Sequence, residues 1–307
     1  MIDLEKKFLG GMIGSALGDA IGEMAFMMPL RERLEAVIQE QPKLRYTDDT
    51  AMAIGLAQSL LEKGRIDQEH LGKTFSDNFD REPWRGYASG PPTIFSEVKQ
   101  RGMPYVVAAE KLFGETGSFG NGAAMRIAPL GLFYHASRRL YDEACQSAQV
   151  THAHPVGMDG AAVQAGAVAQ AVGLDPDEVF PRGDYVAGVV NRARTAEIHE
   201  KMRMVQEMLQ AGADPKRAAN AVGRSVAVQE SMPFALYAFL RNPKSFRDCL
   251  FCAILHGGDR DTLGAMACAI SGAYLGIDAI PVAWQTKLEN RAFIETLAKG
   301  LAKKAST

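Results

Sequence analysis

From Asp261 to Leu275 the chain sets Ala265, Ala267, Ala269, Gly272 and Ala273 among Leu263, Met266 and Ile270. Small side chains spread around a helix let neighbours approach closely, so this segment reads as a central helix that the rest of the fold surrounds. Helical periodicity dominates elsewhere too, and strand alternation is scarce. Leu4, Phe8, Leu9, Met12, Ile13, Ala16 and Leu17 make an apolar stripe on a first helix. A second begins near Asp48 and ends by Gly64, which fits a C′ glycine. Leu71, Phe75 and Phe79 recur every four residues after the capping candidate Asp67. Pro104 precedes a short helix through Leu112, and residues 121–135 and 157–172 are rich in Ala and Gly. Helical patterns also cover roughly 185–211, 216–228, 233–241, 246–255 and 261–275. Gly173–Asp184, with two prolines and four acidic residues, reads as a loop. No repeat or low-complexity linker divides the chain, so residues 1–307 are expected to form one all-α domain.

A chain that is 47% hydrophobic and 23% charged has ample apolar material for a large core. Its net charge of −2 argues against general binding to nucleic acid or an anionic membrane. Gly and Asp interrupt the apolar stretch after Lys7, so no signal-peptide core forms, and no apolar run approaches a membrane span. A cytoplasmic, reduced protein is the expectation. Cys249 and Cys252 form a CxxC without a second pair or an adjacent His, in an apolar helical stretch where they read as small core residues.

Two acidic clusters lie about two hundred residues apart, Tyr46-Thr47-Asp48-Asp49-Thr50-Ala51-Met52 and Gly257-Gly258-Asp259-Arg260-Asp261-Thr262. The simpler reading makes Thr47 or Asp48 an N-cap, with Asp49 in the first turn, and gives Asp259 and Asp261 the same task later. The other reading brings the clusters together, where four carboxylates repel unless a cation sits among them. Carboxylates and hydroxyls are hard ligands suited to Mg²⁺, Mn²⁺ or Ca²⁺. The spacing alone leaves both readings open. On a regular helix Asp259 and Asp261 would point about 200° apart. They converge only if Asp259 lies in a non-helical lead-in, which the two preceding glycines permit.

Six segments in order carry a resemblance that runs nearly end to end. They are Gly14–Gly22 with Tyr46–Met52, Arg85-Gly86-Tyr87, Gly117–Arg126 (GSFGNGAAMR), Thr151–His154 and Gly257–Thr262. The sequence resembles the ADP-ribosylglycohydrolase (ADP-ribosyl-acceptor hydrolase) family, and is most similar to its ADP-ribosyl-serine hydrolase branch. That family also includes the bacterial enzyme that removes ADP-ribose from dinitrogenase reductase. The resemblance implies a compact orthogonal helical bundle with a central binuclear metal cleft holding two Mg²⁺, or Mn²⁺ in their place. It implies Thr47, Asp48, Asp49, Asp259, Asp261 and Thr262 as metal ligands, with Asp259 and Asp48 as the catalytic carboxylates. Phe113 and Phe119 match an aromatic pair that flanks adenine; Gly117, Ser118, Gly120, Asn121 and His152 match the grip on ADP-ribose. The glycine loop is expected to offer backbone N–H groups to a diphosphate. His154 reads as a hydrogen-bonding residue rather than part of a zinc site.

Two positions depart from the family pattern. Where the family commonly has a Glu that gates or assists the chemistry, this chain has Phe26; the nearby carboxylate is Glu23, which shares a face with Phe26 if both are helical. Glu23 is therefore the third catalytic candidate. Arg260 stands between the paired Asp residues and should point away from them, either to meet a substrate or to lie on a solvated surface. The leading expectation is a Mg²⁺-dependent hydrolase that frees ADP-ribose from a modified Ser or Arg side chain or a small conjugate. The rim segments 84–95 and 173–184 would choose the acceptor. Phe26 motivates an alternative, an ADP-ribose-binding protein with little turnover. A purely structural role is disfavoured by retention of all six proposed ligands, and the absence of a Walker pattern removes P-loop chemistry.

Overall fold

The computed structural model describes residues 3–305. In chain order its helices are α1 (Leu4–Met27), α2 (Arg31–Glu40), α3 (Asp48–Lys63), α4 (Gln68–Arg81), α5 (Gly90–Arg101), α6 (Tyr105–Glu110) and α7 (Leu112–Glu115). Next come α8 (Gly122–Met125), α9 (Ala128–Phe133), α10 (Leu140–Gln149), α11 (Pro155–Val172), α12 (Arg182–Val190) and α13 (Ala196–Gln210). The chain closes with α14 (Pro215–Val222), α15 (Val228–Arg241), α16 (Phe246–Ile254), α17 (Arg260–Leu275), α18 (Val282–Gln285) and α19 (Arg291–Ala305). Among the described residues there is no strand, only isolated bridges joining Leu44 to Leu288 and Gly120 to Ala227. The all-α expectation holds.

The central helix is α17, buried without interruption from Thr262 to Tyr274. Its tightest neighbour is α1, which runs antiparallel to it along a seam of small residues. Gly10, Gly14, Gly18 and Gly22 lie against the carbonyls of Gly272, Cys268, Gly264 and Arg260, where an added Cβ would stand 2.1–2.6 Å from each oxygen. Helices α11, α15 and α16 pack around the rest of α17, while α19 and α9 back α1. The seam sets α1 and the start of α17 in fixed register, which matters for the site below. Among the described residues, no helix is long and apolar enough to cross a membrane. All four cysteines are free, and Cys249 and Cys252 are buried on α16 as core residues.

Several helix ends follow the sequence. Gly64 ends α3 in the left-handed region at φ 68°, and Asp67 caps α4 by accepting the His70 N–H at 3.0 Å. Others do not. The pattern over 185–211 breaks between α12 and α13, because the buried Asp159 carboxylate of α11 accepts the N–H groups of Arg194 and Thr195 and the Thr195 hydroxyl. The pattern over 216–228 stops at Val222; Gly223 turns at φ 93°, and the following residues pair with the glycine loop instead. Helix α2 was not expected, and α5 occupies half of what reads as the rim loop 84–95. Segment 173–184 lies at the opposite end of α17 from the acidic cluster. The Leu174 carbonyl accepts from Lys7, which also bonds the Tyr274 carbonyl, and Phe180 packs 5.2 Å from the Tyr274 ring. Thirteen residues separate Asp261 from Tyr274, about 20 Å along a helix, so this loop is no part of the cleft rim.

Candidate active site

The two acidic clusters meet. Asp48 and Asp49 open α3, Asp259 and Asp261 open α17, and all four line one cleft of about 450 Å³. Gly257 and Gly258 take φ of 86° and 78°, which leaves Asp259 non-helical at φ −86°, ψ 77°. That is the lead-in its convergence with Asp261 requires. Asp259 occupies the cap position of α17 without a capping bond from its side chain, so capping does not explain it. Thr47, by contrast, does cap α3, accepting the Asp49 N–H at 3.4 Å.

Beneath the cluster lies Asp19 of α1, fully buried. It accepts the Thr47 hydroxyl at 2.8 Å, the Thr50 hydroxyl at 2.6 Å and both backbone N–H groups at 3.0 Å. These bonds tether the N-terminus of α3 to the seam helix. Asp19 stands inside a motif quoted above, yet its role needs partners 28 and 31 residues away.

The buried Arg126 guanidinium lowers the pKa of Asp48, but burial and the neighbouring carboxylates outweigh it. Burial pushes Asp48 up to about 7, with Asp19 and Asp259 adding to it, and pushes Asp261 up to about 8, with Asp259, Asp19 and Glu23 adding. Asp19 rises to about 6 by burial although its hydrogen bonds pull the other way. Asp49 rises well above the usual range through burial and then through Asp261, Asp19, Asp48 and Asp259. Among the described residues its Oδ2 is buried without a hydrogen-bond partner. A carboxylate oxygen left so costs free energy unless a proton or cation meets it. Even so, among the described residues no three His, Cys, Asp or Glu side chains are gathered to hold one ion.

These shifts set a direction for stability. Each carboxyl holds its proton more tightly folded than unfolded, so its contribution is fully present below the unfolded value of 3.8 and is lost as pH rises through about 6 to 8. Thermal melts in EDTA should show a falling Tm from pH 4.5 to 8.5, on the order of 3 °C for 2 kcal/mol. A flat profile would contradict a repulsive cluster.

The opposite wall is the glycine loop with its neighbours. Ser118, Phe119, Gly120, Asn121 and His152 line the cleft, as does Phe113, held at φ 53°. Gly117 does not line it; at φ 72° it turns the chain against Ala153 and His154. Phe113 and Phe119 expose 65% and 46% of their surface, leaving ring faces open to a flat ligand. The N–H groups of Gly117, Gly120 and Asn121 are already taken by Leu112 O, Ser118 Oγ and Val226 O. Those three are thus withdrawn from any diphosphate, which leaves the N–H groups of Ser118, Phe119 and Gly122 among the described loop residues. His152 is neutral, pushed down to about 3 by burial and then by Arg126. Its Nδ1 pairs with the Thr151 hydroxyl at 2.8 Å. His154 caps α11, accepting the Val156 N–H at 3.1 Å.

Two expectations need amending. Glu23 is exposed near the end of α1 and does not line the cleft, although it lies near enough to Asp261 to raise it. Phe26 is 45% exposed on the same helix. Arg260 does point away from the carboxylates, but onto the carbonyl of Ile254 at the end of α16, half-buried rather than solvated. Thr262 also lines the cleft, as do Ser89, Gly90, Pro91, Val226 and Ala227. Of these, Val226 and Ala227 were hidden in a segment whose pattern reads as helix.

The sequence profile of the ADP-ribosylglycohydrolase family matches residues 1–307. The chain belongs to this family. ADP-ribosylhydrolase ARH3 of Homo sapiens is 34% identical over 96% of this chain and 92% of its own length. The Escherichia coli K12 protein YegU, itself uncharacterized, is 30% identical over 97% of each chain. A solved structure titled ADP-ribosylglycohydrolase-related protein complex shares the fold, with a TM-score of 0.71 over 99% of this chain and 100% of that one, at 24% identity. Family membership supports an ADP-ribosylglycohydrolase type of enzyme that engages ADP-ribose or ADP-ribosylated molecules.

Proposed function

We propose that this family member is a Mg²⁺-dependent hydrolase, working as one domain, that cleaves the ribosyl bond between ADP-ribose and a Ser, Arg or small-molecule acceptor. One observation carries the reading: four aspartates from distant segments line a single cleft, and a buried Asp49 oxygen there lacks any partner. The donor set is all carboxylate and hydroxyl, which fits a hard divalent cation. Thr47, Asp48, Asp49, Asp259, Asp261 and Thr262 would hold two Mg²⁺, with Mn²⁺ as the substitute. Bound there, the cations would supply orientation of ribose hydroxyls and an acidified water.

The chain's own groups do the rest. Phe113 and Phe119 stack on the adenine, and the N–H groups of Ser118 and Phe119 meet the diphosphate. Neutral His152 hydrogen-bonds a ribose hydroxyl, since a buried imidazole at this pKa carries no charge. Asp259 takes the proton of the attacking water, and Asp48 returns one to the leaving group. Glu23, exposed and outside the cleft lining, would act only through its charge on Asp261. The four free cysteines fit a reducing cytoplasm.

Release of ADP-ribose from Ser-linked and Arg-linked ADP-ribosyl peptides tests this reading. Release should need Mg²⁺ or Mn²⁺, stop in EDTA and vanish in Asp261→Ala, and the preferred peptide identifies the linkage. The position of Phe26 favours a second reading, ADP-ribose binding with little turnover. Tight binding with no release under any metal condition would select it.

A further inference from the structure

We infer that Asn121 and Ser231 are positioning residues for Asp259, the buried Ser231 hydroxyl fixing the Asn121 amide that in turn holds one oxygen of the Asp259 carboxylate. What Asp259 then does rests on the hydrolase reading above; how it is held does not.

Asp259 follows two glycines with positive φ, in a backbone conformation that is neither helix nor strand, and its side chain makes no capping bond. Among the described residues its carboxylate has one hydrogen-bond partner, the Asn121 amide nitrogen, at 2.7 Å from Oδ2. The NH₂ end of Asn121 faces it and donates. The second amide hydrogen falls on Ser231 Oγ at 3.1 Å. Ser231 is fully buried in the first turn of α15 and passes its own hydrogen to the Ala227 carbonyl at 3.1 Å. The relay therefore has one direction, Asn121 to Ser231 to Ala227, and it locks the amide with one hydrogen aimed at Asp259. Charge assistance makes that last bond the strongest of the set.

The backbone repeats the same connection. Asp259 N–H donates to Arg224 O at 3.0 Å, Asn121 N–H to Val226 O at 2.9 Å, and Val228 N–H to Phe119 O at 3.1 Å. Residues 224–228 thus form a strap between the glycine loop and the lead-in to α17. A consequence follows for the ligand. With both hydrogens engaged, Asn121 offers the cleft only its carbonyl oxygen, which can accept from a hydroxyl but cannot bind a phosphate oxygen. Asn121 is thereby moved from the substrate grip, where the resemblance puts it, to the support of Asp259.

The test compares Asn121→Asp, Ser231→Ala and Ser231→Thr with the parent, with melting curves to confirm folding. Three quantities are read: kcat and KM for ADP-ribose release, the ADP-ribose Kd in saturating Mg²⁺ by calorimetry, and Mn²⁺ affinity by electron paramagnetic resonance without substrate. Asn121→Asp and Ser231→Ala should lower kcat and Mn²⁺ affinity about tenfold or more, the usual cost of losing a partner behind a ligating group. KM and ADP-ribose Kd should stay within about threefold. Ser231→Thr, which keeps the hydroxyl, should restore both losses. Loss of ADP-ribose affinity with Mn²⁺ affinity intact would make Asn121 a substrate contact and overturn the inference, as would an unchanged Ser231→Ala. A parent that binds Mn²⁺ yet releases no ADP-ribose would sink the hydrolase reading alone, and the Mn²⁺ affinities of the variants would still decide the positioning role. A parent that binds no Mn²⁺ overturns both.

Discussion

Asp49→Asn should melt higher than the parent in EDTA and release ADP-ribose on the order of a thousandfold more slowly in Mg²⁺. Asp49 is 2% exposed, its Oδ2 has no partner, and Asp261, Asp19, Asp48 and Asp259 all raise its pKa. Asn has the same shape without the charge, and its NH₂ can donate to a neighbouring carboxylate. Relieving a buried unsatisfied group is worth about 1–3 kcal/mol, which is a gain on the order of 3–5 °C for a chain of this size. The gain should grow as pH rises, because the parent carboxyl holds its proton more tightly than usual and the repulsion appears only as that proton is lost. Saturating Mg²⁺ should reverse the order, because only the parent gains about 2.7 kcal/mol when the ion stands at a hundred times its Kd. The rate loss corresponds to about 4 kcal/mol of transition-state stabilisation. Scanning calorimetry at two pH values, with and without Mg²⁺, reads all of this in one series. A variant that melts lower in EDTA at pH 8, or keeps the Mg²⁺ response, would remove Asp49 from the site. The opposite signs are what separate a functional carboxylate from a structural one: the fold is held below its own optimum so that a ligand can complete it.

What the sequence made legible follows from locality. Asp259 and Asp261 were readable as a converging pair because the glycines that allow the turn stand directly before them. The central place of α17 was readable from its own small residues. What escaped depends on partners distant along the chain. Asp19 is one more aspartate until Thr47 and Thr50 donate to it, and the break before α13 exists because Asp159, 35 and 36 residues upstream, captures the N–H groups of Arg194 and Thr195. Local periodicity over 216–228 cannot know that Val226 accepts from Asn121 and that Val228 donates to Phe119. Composition marked 173–184 as a loop but says nothing of which end of α17 it covers. One available signal went unread: Gly10, Gly14, Gly18 and Gly22 recur every four residues on α1, the spacing of one helix face. Such a stripe is the mark of two helix backbones in near contact.

That stripe yields the second large effect. Gly10→Ala and Gly22→Ala place a Cβ 2.2 Å from the Gly272 carbonyl and 2.4 Å from the Arg260 carbonyl. Both obstacles are backbone atoms, so neither clash can be relieved by turning a side chain, and α1 must separate locally from α17. Overpacking of this kind costs about 1–3 kcal/mol, and the two variants should lose similar amounts of Tm. Their activities should differ. The Gly10 end of the seam adjoins Gly276, about 20 Å along α17 from the carboxylates, and the folded Gly10→Ala protein should keep its rate. The Gly22 end adjoins Asp261 itself and lies one turn from Asp19, whose hydroxyl and N–H partners hold the start of α3. A shift there moves Asp261 relative to Asp49, and a displacement of about 1 Å costs on the order of a hundredfold in rate. Melting curves and kcat per folded molecule distinguish the cases. Equal loss of activity in both variants would mean the seam serves stability alone, and full activity in Gly22→Ala would mean the carboxylates keep their geometry by other ties. Unequal loss at matched stability would mean that the same backbone contact that lets α17 sit at the centre of the fold also sets the separation of the two aspartate pairs.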